Sequence, residues 1–118
     1  MMAKEKAPEG ANLDNKDFTI LELQVQELIK TANSTRPIRR KELSRALNVE
    51  DRTIRKVIER LRCKGERILS GEKGGYFYAE NEGQYIGWRT SITSRIVSMN
   101  KMVRAMDGRT EGQIYMEV

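Results

Sequence analysis

The sequence contains no histidine, a single cysteine (Cys63) and only two prolines. Without histidine the chain lacks the commonest metal ligand and general base, and one cysteine excludes an internal disulfide. Since Arg62 and Lys64 flank Cys63, we interpret it as a semi-exposed residue at a helix end, with some sensitivity to oxidation. A glycine-rich phosphate loop, a nucleophile elbow and a metal-spaced carboxylate cluster are missing too. These absences argue against an enzyme, and no catalytic residue, metal site or cofactor is predicted.

Long apolar segments are also lacking. No run approaches the roughly 20 residues that a bilayer-spanning helix needs, and the opening MMAKEKAPEGAN has no apolar core typical of a secretory signal. Hydrophobic residues make up 38% of the chain and charged residues 33%, which indicates a soluble protein with a small core. We therefore expect a cytoplasmic protein of one domain with no membrane contact.

The net charge of +5 is unevenly placed along the chain. Residues 36–76 carry 13 basic and six acidic side chains, whereas residues 1–35 carry four and six, and residues 77–118 carry five of each. A charge that served only solubility would be spread out. Concentration in one segment is what a polyanion-binding surface needs, so nucleic acid is the expected partner.

A helix is predicted over residues 17–32. Before it, residues 1–16 are polar and aperiodic, which predicts a disordered tail. Asp17 is suited to the N-cap, and Pro37 ends the helical region because it restricts the preceding residue and has no backbone N–H. The apolar stripe expected to face the core consists of Leu21, Val25, Leu28, Ile29 and Ala32, while Glu22, Gln26 and Lys30 fall away from it.

A short extended piece at residues 38–39 and a helix over residues 40–47 come next. The side chains that this helix is expected to bury are Leu43, Ala46 and Leu47. Residues 48–50 form the turn to the following helix, with Val49 as an apolar plug between the two. Two short amphipathic helices joined by such a turn indicate a helix-turn-helix.

The helix predicted over residues 51–63 has one apolar side and one charged side. Asp51 or Glu50 caps its N-terminus, where an acid suits the helix dipole, and Gly65 follows its end. The apolar side consists of Ile54, Val57, Ile58 and Leu61, and the opposite arc of Arg52, Lys56, Glu59 and Arg60, with Thr53 and Arg55 on its flanks. A helix that enters the major groove needs such an apolar back and polar front.

A hairpin is predicted after this helix. Residues 67–70 and 76–79 are rich in β-branched and aromatic side chains and flank a glycine-rich turn at residues 71–75. The order helix, short strand, helix, helix, strand, strand is that of a winged helix. The predicted fold class is therefore mainly α (α+β): a winged helix-turn-helix domain over residues 17–80 with a two-stranded wing, plus a long C-terminal helix.

The residues predicted to contact DNA lie at three places in this domain. Base contacts are expected from Arg52, Thr53, Arg55 and Lys56 in the first turns of helix 51–63, with Arg60 further along. Phosphate contacts are expected from Arg39, Arg40 and Lys41 at the start of helix 40–47 and from Lys73 in the wing turn. The alternative is an ordinary solvated charged face. Agreement between the turn, the wing and the charge surplus favours nucleic acid.

Four short motifs lie in the segment RKELSRALNVEDRTIRKVIERLRCKGERI and in GGYFYA further along the chain. They occupy residues 43–49, 52–55, 58–68 and 75–76. The segment resembles the winged-helix domains of biotin-operon-repressor and DeoR-like transcriptional regulators. The resemblance covers about residues 20–80 and implies DNA contacts from Arg52, Thr53, Arg55 and Lys56. The pair Glu50-Asp51 stands where those regulators often carry serine or an equivalent cap, and two acids beside phosphates would weaken non-specific affinity. No effector domain is expected after the wing.

Residues 81–106 are predicted to form a long helix, whose start is weakened by Gly83 and Gly87. Its apolar stripe consists of Tyr85, Trp88, Ile92, Ile96, Met99, Val103 and Met106, spaced three or four residues apart. The stripe can pack on the first helix or pair with its copy in a second chain, and the near-heptad spacing favours a homodimer. Residues 107–118 are expected to be a flexible tail, in which residues 113–118 can add an edge strand or stay disordered.

The predicted function is sequence-specific binding of double-stranded DNA by a small dimeric transcriptional regulator of bacterial or phage type. The recognition helix would enter the major groove and the wing would lie on the backbone. The alternative is a winged-helix module for protein–protein interaction, such as a phage or replication adaptor, with the apolar C-terminal helix as its active surface.

Overall fold

The computed structural model describes residues 15–117, with side chains over residues 18–108. Its elements in chain order are α1 (Asn15–Lys30), α2 (Arg40–Leu47), α3 (Asp51–Cys63), β1 (Ile68–Ser70), β2 (Tyr76–Tyr78) and α4 (Glu82–Glu117). This confirms the mainly α winged helix with a long C-terminal helix. Of residues 1–16, which were predicted to be a disordered tail, residues 1–14 lie outside the described residues and residues 15–16 are helical, since α1 begins at Asn15. Over residues 15–117, no helix combines the length and the apolar character that crossing a membrane requires.

The chain divides into two compact units, Met1–Tyr85 and Ile86–Val118. The core of the first unit lies where α1, α2 and α3 pack on the hairpin, and its buried members are Leu21, Val25, Ile29, Leu43, Ile54, Val57, Ile58, Leu61, Ile68 and Tyr76. Each fully buried aliphatic side chain in such a core stabilises the fold by about 1.5–3 kcal/mol. The apolar side predicted for α3 is confirmed in full.

Two expectations about burial are wrong, one for a residue expected to be buried and one for a residue expected to be exposed. Ala46 is exposed, because Leu43 and Leu47 suffice to bury the inner face of an eight-residue helix. Glu22 is buried, with 4% of its surface exposed, although we expected it to face away from the core. It is buried because Arg60 of α3 and Lys64, the residue that follows α3, reach its carboxylate, at 2.6 Å each. Charged groups enter protein interiors when they are paired in this way.

The ends of α1 differ slightly from those predicted, since it begins at Asn15 rather than Asp17 and ends at Lys30 rather than residue 32. The turn after α2 is formed by Asn48, which adopts the left-handed conformation at φ 55° and ends the helix. Of the two candidate caps for α3, Glu50 occupies the N-cap position, but its side chain makes no capping hydrogen bond. Asp51 is the first helical residue.

The wing is a two-stranded antiparallel sheet in the register Ile68–Tyr78, Leu69–Phe77 and Ser70–Tyr76. The predicted extended piece before α2 joins it, because the backbone of Ile38 exchanges hydrogen bonds with that of Tyr76 at 3.0 and 2.7 Å. Gly75 crosses directly over Pro37: a Cβ placed on Gly75 would lie 2.8 Å from the Pro37 Cβ. The base of the wing therefore packs on the segment leading into α2.

The first turn of α4 is held by the hairpin and by the loop after α1. Arg67 donates to the Glu82 carboxylate at 2.7 Å and lies 3.9 Å from the centroid of the Tyr85 ring. The Glu80 carboxylate accepts the backbone N–H of Ser34 at 2.9 Å, and its pKa is lowered chiefly by that bond. The helix continues to Glu117 rather than ending at Met106, through residues expected to form a loose tail. Glycines reduce helix propensity there, but no proline interrupts the helix.

Candidate nucleic-acid interface

The outward face of α3 presents basic side chains over an apolar back that is fully buried. Arg52, Arg55 and Lys56 are exposed and Thr53 is half-buried, whereas the exposed fractions of the four core residues of α3 do not exceed 2%. Packing of that back fixes the rotation of the helix about its axis. The four residues predicted to contact bases therefore share one solvent-facing side.

Three adjoining grooves join this helix to the N-terminus of α2 and to the wing. One, of about 590 Å³, is lined by Arg39, Arg40 and Lys41 together with Asp51 and the wing glycines. A second is lined by Arg40, Arg55 and Tyr76 among others. In the third, Arg39 lies opposite Lys73 of the wing turn. Tertiary structure thus brings together cations that lie far apart in the sequence, on one side of the domain.

Arg40 lines both the first and the second of these grooves. Its Nε donates to both carboxylate oxygens of Asp51, at 3.0 and 2.9 Å, and its Nη1 donates to the Tyr76 hydroxyl oxygen at 3.4 Å. Hydrogen bonds to Tyr76 and then to Asp51 raise the pKa of Arg40 above its ordinary value. One guanidinium accordingly connects α2, α3 and β2, and it pairs with one of the two acids that precede the recognition residues.

Arg60 lies on the flank of α3 that faces α1, apart from the other predicted contacts. Its Nε donates to Glu22 at 2.6 Å, and its guanidinium carbon lies 4.5 Å from the centroid of the Phe18 ring. Burial alone would raise the pKa of the Glu22 carboxyl. Hydrogen bonds from Lys64 and Arg60 outweigh that effect, so the pKa lies below its ordinary value. The side chain of Arg60 has a partner within the domain, and we leave it out of the proposed interface.

Arg62 is a positioning residue that sequence reasoning missed. It donates to the Ile68 carbonyl oxygen at 2.8 Å and to Ser70 Oγ at 3.0 Å, and it lies over the Tyr76 ring at 5.7 Å. Burial lowers the pKa of its guanidinium. Its contacts fasten the end of α3 to β1. In the sequence, the only indication of this role is that Arg62 lies on the flank of the apolar side of α3.

The apolar stripe of α4 differs along its length. Tyr85 is covered by Arg67 within the first unit, and Trp88 and Ile92 are half-buried. The other four predicted members, Ile96, Met99, Val103 and Met106, are each about half exposed or more in the single chain. Exposed apolar side chains that recur at helical spacing are typical of an interaction surface.

Comparison with known proteins agrees with this geometry. Residues 23–77 match the model of a family described as an HTH (helix-turn-helix) domain. Over this segment the three helices and the antiparallel wing of the structure agree with a helix-turn-helix domain of the winged type. No curated protein and no solved structure matches the chain.

Proposed function

We propose that this domain binds double-stranded DNA in a sequence-specific manner, with α3 in the major groove. The observation that carries the proposal is the outward face of α3, where Arg52, Arg55 and Lys56 are exposed over a fully buried back. Arginine can address guanine through two hydrogen bonds, and threonine can reach a base or a phosphate. Among the residues that the structure describes, Arg55 and Lys56 have no acidic partner, so both are available to a ligand.

Backbone contacts are proposed for the side chains that border α3. Arg39 and Lys41 are exposed at the start of α2, and Lys73 is exposed at the wing tip. Arg39 and Lys73 line one groove, and Arg39 and Lys41 line another that reaches Asp51 on α3. A DNA backbone that passes over this side of the domain would meet cations from the start of α2 and from the wing tip. Such contacts set the register of the protein on the duplex without reading sequence.

We further propose that α4 forms a homodimer through its apolar stripe. Ile92, Met99 and Met106 recur every seven residues, and the β-branched Ile96 and Val103 lie at the alternate positions of the same heptad. Such a seam suits a two-stranded coiled coil. A dimer would present two recognition helices to half-sites about 34–36 Å apart, which makes the target quasi-palindromic. A cytoplasmic transcriptional regulator of bacterial or phage type fits this arrangement.

The test is the affinity for duplex DNA as a function of salt. Binding should weaken as salt rises, with a slope of about −0.9 per phosphate contact in a double-logarithmic plot. Arg55→Ala should relax discrimination between sequences, whereas Lys73→Ala should weaken binding evenly and reduce the slope by about one. Lys30→Ala is the charge-matched control, because Lys30 is exposed on α1 and lines none of the three grooves. Absence of binding at low salt, or binding that ignores salt, would overturn the proposal.

The exposed stripe of α4 also favours a second candidate, a winged-helix module that binds a protein. Light scattering and a DNA-binding assay separate the two. A monomer that ignores DNA and captures a protein partner through α4 would favour the interaction module. A dimer that binds DNA in a salt-dependent manner would favour the regulator.

A further inference from the structure

Two acidic residues, Glu50 and Asp51, precede the recognition residues of α3, and acids at this place reduce the attraction of the surface for DNA. Asp51 is the first residue of α3, and its side chain is half exposed, close to where phosphates would pass. A free carboxylate there would repel the DNA backbone. In the structure this carboxylate is not free, because Arg40 approaches both of its oxygens within 3.0 Å.

The same arginine is poorly placed to serve phosphate. Its side chain is only 34% exposed, its Nε is committed to Asp51, and its Nη1 is directed to the Tyr76 hydroxyl. Arg39 and Lys41, on either side of it, are exposed and have no ion-pair partner among the described side chains. Arg39 and Lys41 can therefore bind phosphate at the start of α2 in place of Arg40.

We infer that Arg40 is a positioning residue, which holds α3 and the wing against the start of α2 and covers the Asp51 carboxylate, and that it is not a phosphate contact. The inference rests on the proposed function, since its purpose is the approach of DNA. Tyr76 takes part because its backbone pairs with Ile38, just ahead of α2, and its hydroxyl accepts from Arg40. The Arg40 side chain therefore joins the wing, α2 and α3 to one another.

A charge-conserving substitution tests the geometry. Lysine keeps the positive charge of Arg40 but cannot contact both Asp51 oxygens and the Tyr76 hydroxyl as a planar guanidinium does. Arg40→Lys should weaken binding to a duplex selected from a random pool by about tenfold, a coupling of ordinary size for residues in one hydrogen-bond network. Arg45→Lys, the matched control at an exposed position of α2 that lines none of the three grooves, should stay within about twofold of the wild type. Wild-type affinity for Arg40→Lys would overturn the inference.

A double-mutant cycle tests the pairing with Asp51. Arg40→Gln should cost about tenfold in the wild-type background and less than about threefold when Asp51 is already asparagine, since the acid to be covered is gone. In the Asp51→Asn background, Arg40→Gln should leave the slope against salt unchanged, because no carboxylate remains there to be uncovered. Equal costs in both backgrounds, with a slope reduced by about one, would identify a phosphate contact and contradict the inference.

Two controls keep the outcomes distinct. Urea unfolding of every variant identifies any loss of binding that comes from loss of the fold, and Asp51→Asn, at a half-exposed position, keeps the cycle usable if an Arg40 variant is unstable. If the wild type does not bind duplex DNA at low salt, the proposed function fails and the inference fails with it. If the wild type binds and the Arg40 variants behave as phosphate contacts, only the inference fails.

Discussion

Replacement of Gly75 by alanine tests how the wing is attached to the rest of the domain. Gly74 and Gly75 are neighbours with nearly the same φ, 90° and 87°, so an alanine at either position suffers a similar penalty for a positive φ. Their surroundings differ. A Cβ at Gly74 meets nothing within 4 Å, whereas a Cβ at Gly75 lies 2.8 Å from the Pro37 Cβ and 3.2 Å from its Cγ. The pair therefore separates backbone strain from packing.

The expected magnitudes follow from these distances. A left-handed conformation costs a non-glycine residue about 1–2 kcal/mol, and this is the whole penalty expected for Gly74→Ala. Gly75→Ala adds the clash with Pro37, and overpacking of this kind typically costs about 1–3 kcal/mol. Gly75→Ala should therefore lower the free energy of unfolding by about 2–5 kcal/mol. For a domain of this size each kcal/mol corresponds to about 4–8 °C in Tm.

Urea unfolding of the two variants, followed by near-ultraviolet circular dichroism of the wing tyrosines, measures the difference. The contrast between the two substitutions is the decisive quantity, since errors of extrapolation are shared. Equal destabilisation by both alanines would mean that the contact between Gly75 and Pro37 does not hold the wing, contrary to this prediction. DNA binding should fall with Gly75→Ala more than with Gly74→Ala if the wing supports the interface.

Three further outcomes are expected. Glu22→Gln should destabilise the domain by about 1–2 kcal/mol at pH 7, from the loss of two charge-assisted hydrogen bonds, while Glu27→Gln, at an exposed i,i+3 pair with Lys30, should have little effect. The pKa of Glu22 is lowered in the folded protein, so its contribution to stability is present above the unfolded pKa and is lost as the pH falls through the folded pKa. The difference in unfolding free energy between Glu22→Gln and the wild type should therefore shrink below about pH 4. A difference that is independent of pH would count against the ion pair. Ile96→Lys should dissociate the proposed dimer in light scattering, whereas Val97→Lys, at the equally exposed next position but off the stripe, should not; equal effects would argue against the seam. Burial raises the pKa of Tyr78 to about 12, so a spectrophotometric titration should show one tyrosine that ionises late, and this step should vanish in Tyr78→Phe.

The fold could be predicted from the sequence because its signals are local. Ile54, Val57, Ile58 and Leu61 face the core, as their spacing along a single helix predicts. The hairpin follows from glycines between aromatic and β-branched residues, and the turn after α2 from a short polar break. Each of these patterns depends on residues a few positions apart. The end of α4 was missed, because weak helix propensity lowers the stability of a helix without setting its last residue.

The partners of the charged side chains could not be predicted in the same way. Arg60 and Glu22 are 38 positions apart in the sequence, and Arg40 and Tyr76 are 36 apart. Helical spacing places Arg60 on the polar arc of α3 beside Lys56, but it does not reveal that α1 presents a buried carboxylate to that flank. Tyr85 belongs to the apolar stripe by spacing, and only the folded hairpin brings Arg67 over its ring.

The order of the elements, the buried side of α3 and the concentration of positive charge around that helix could all be deduced from the sequence, because they depend on periodicity and composition. The tertiary structure decided which of the charged residues are available to a ligand. It pairs Arg40 with Asp51 and Arg60 with Glu22, and it leaves Arg55, Lys56 and Lys73 directed to solvent. Both of these ion pairs join side chains from different elements, and the packing of the core sets which elements meet.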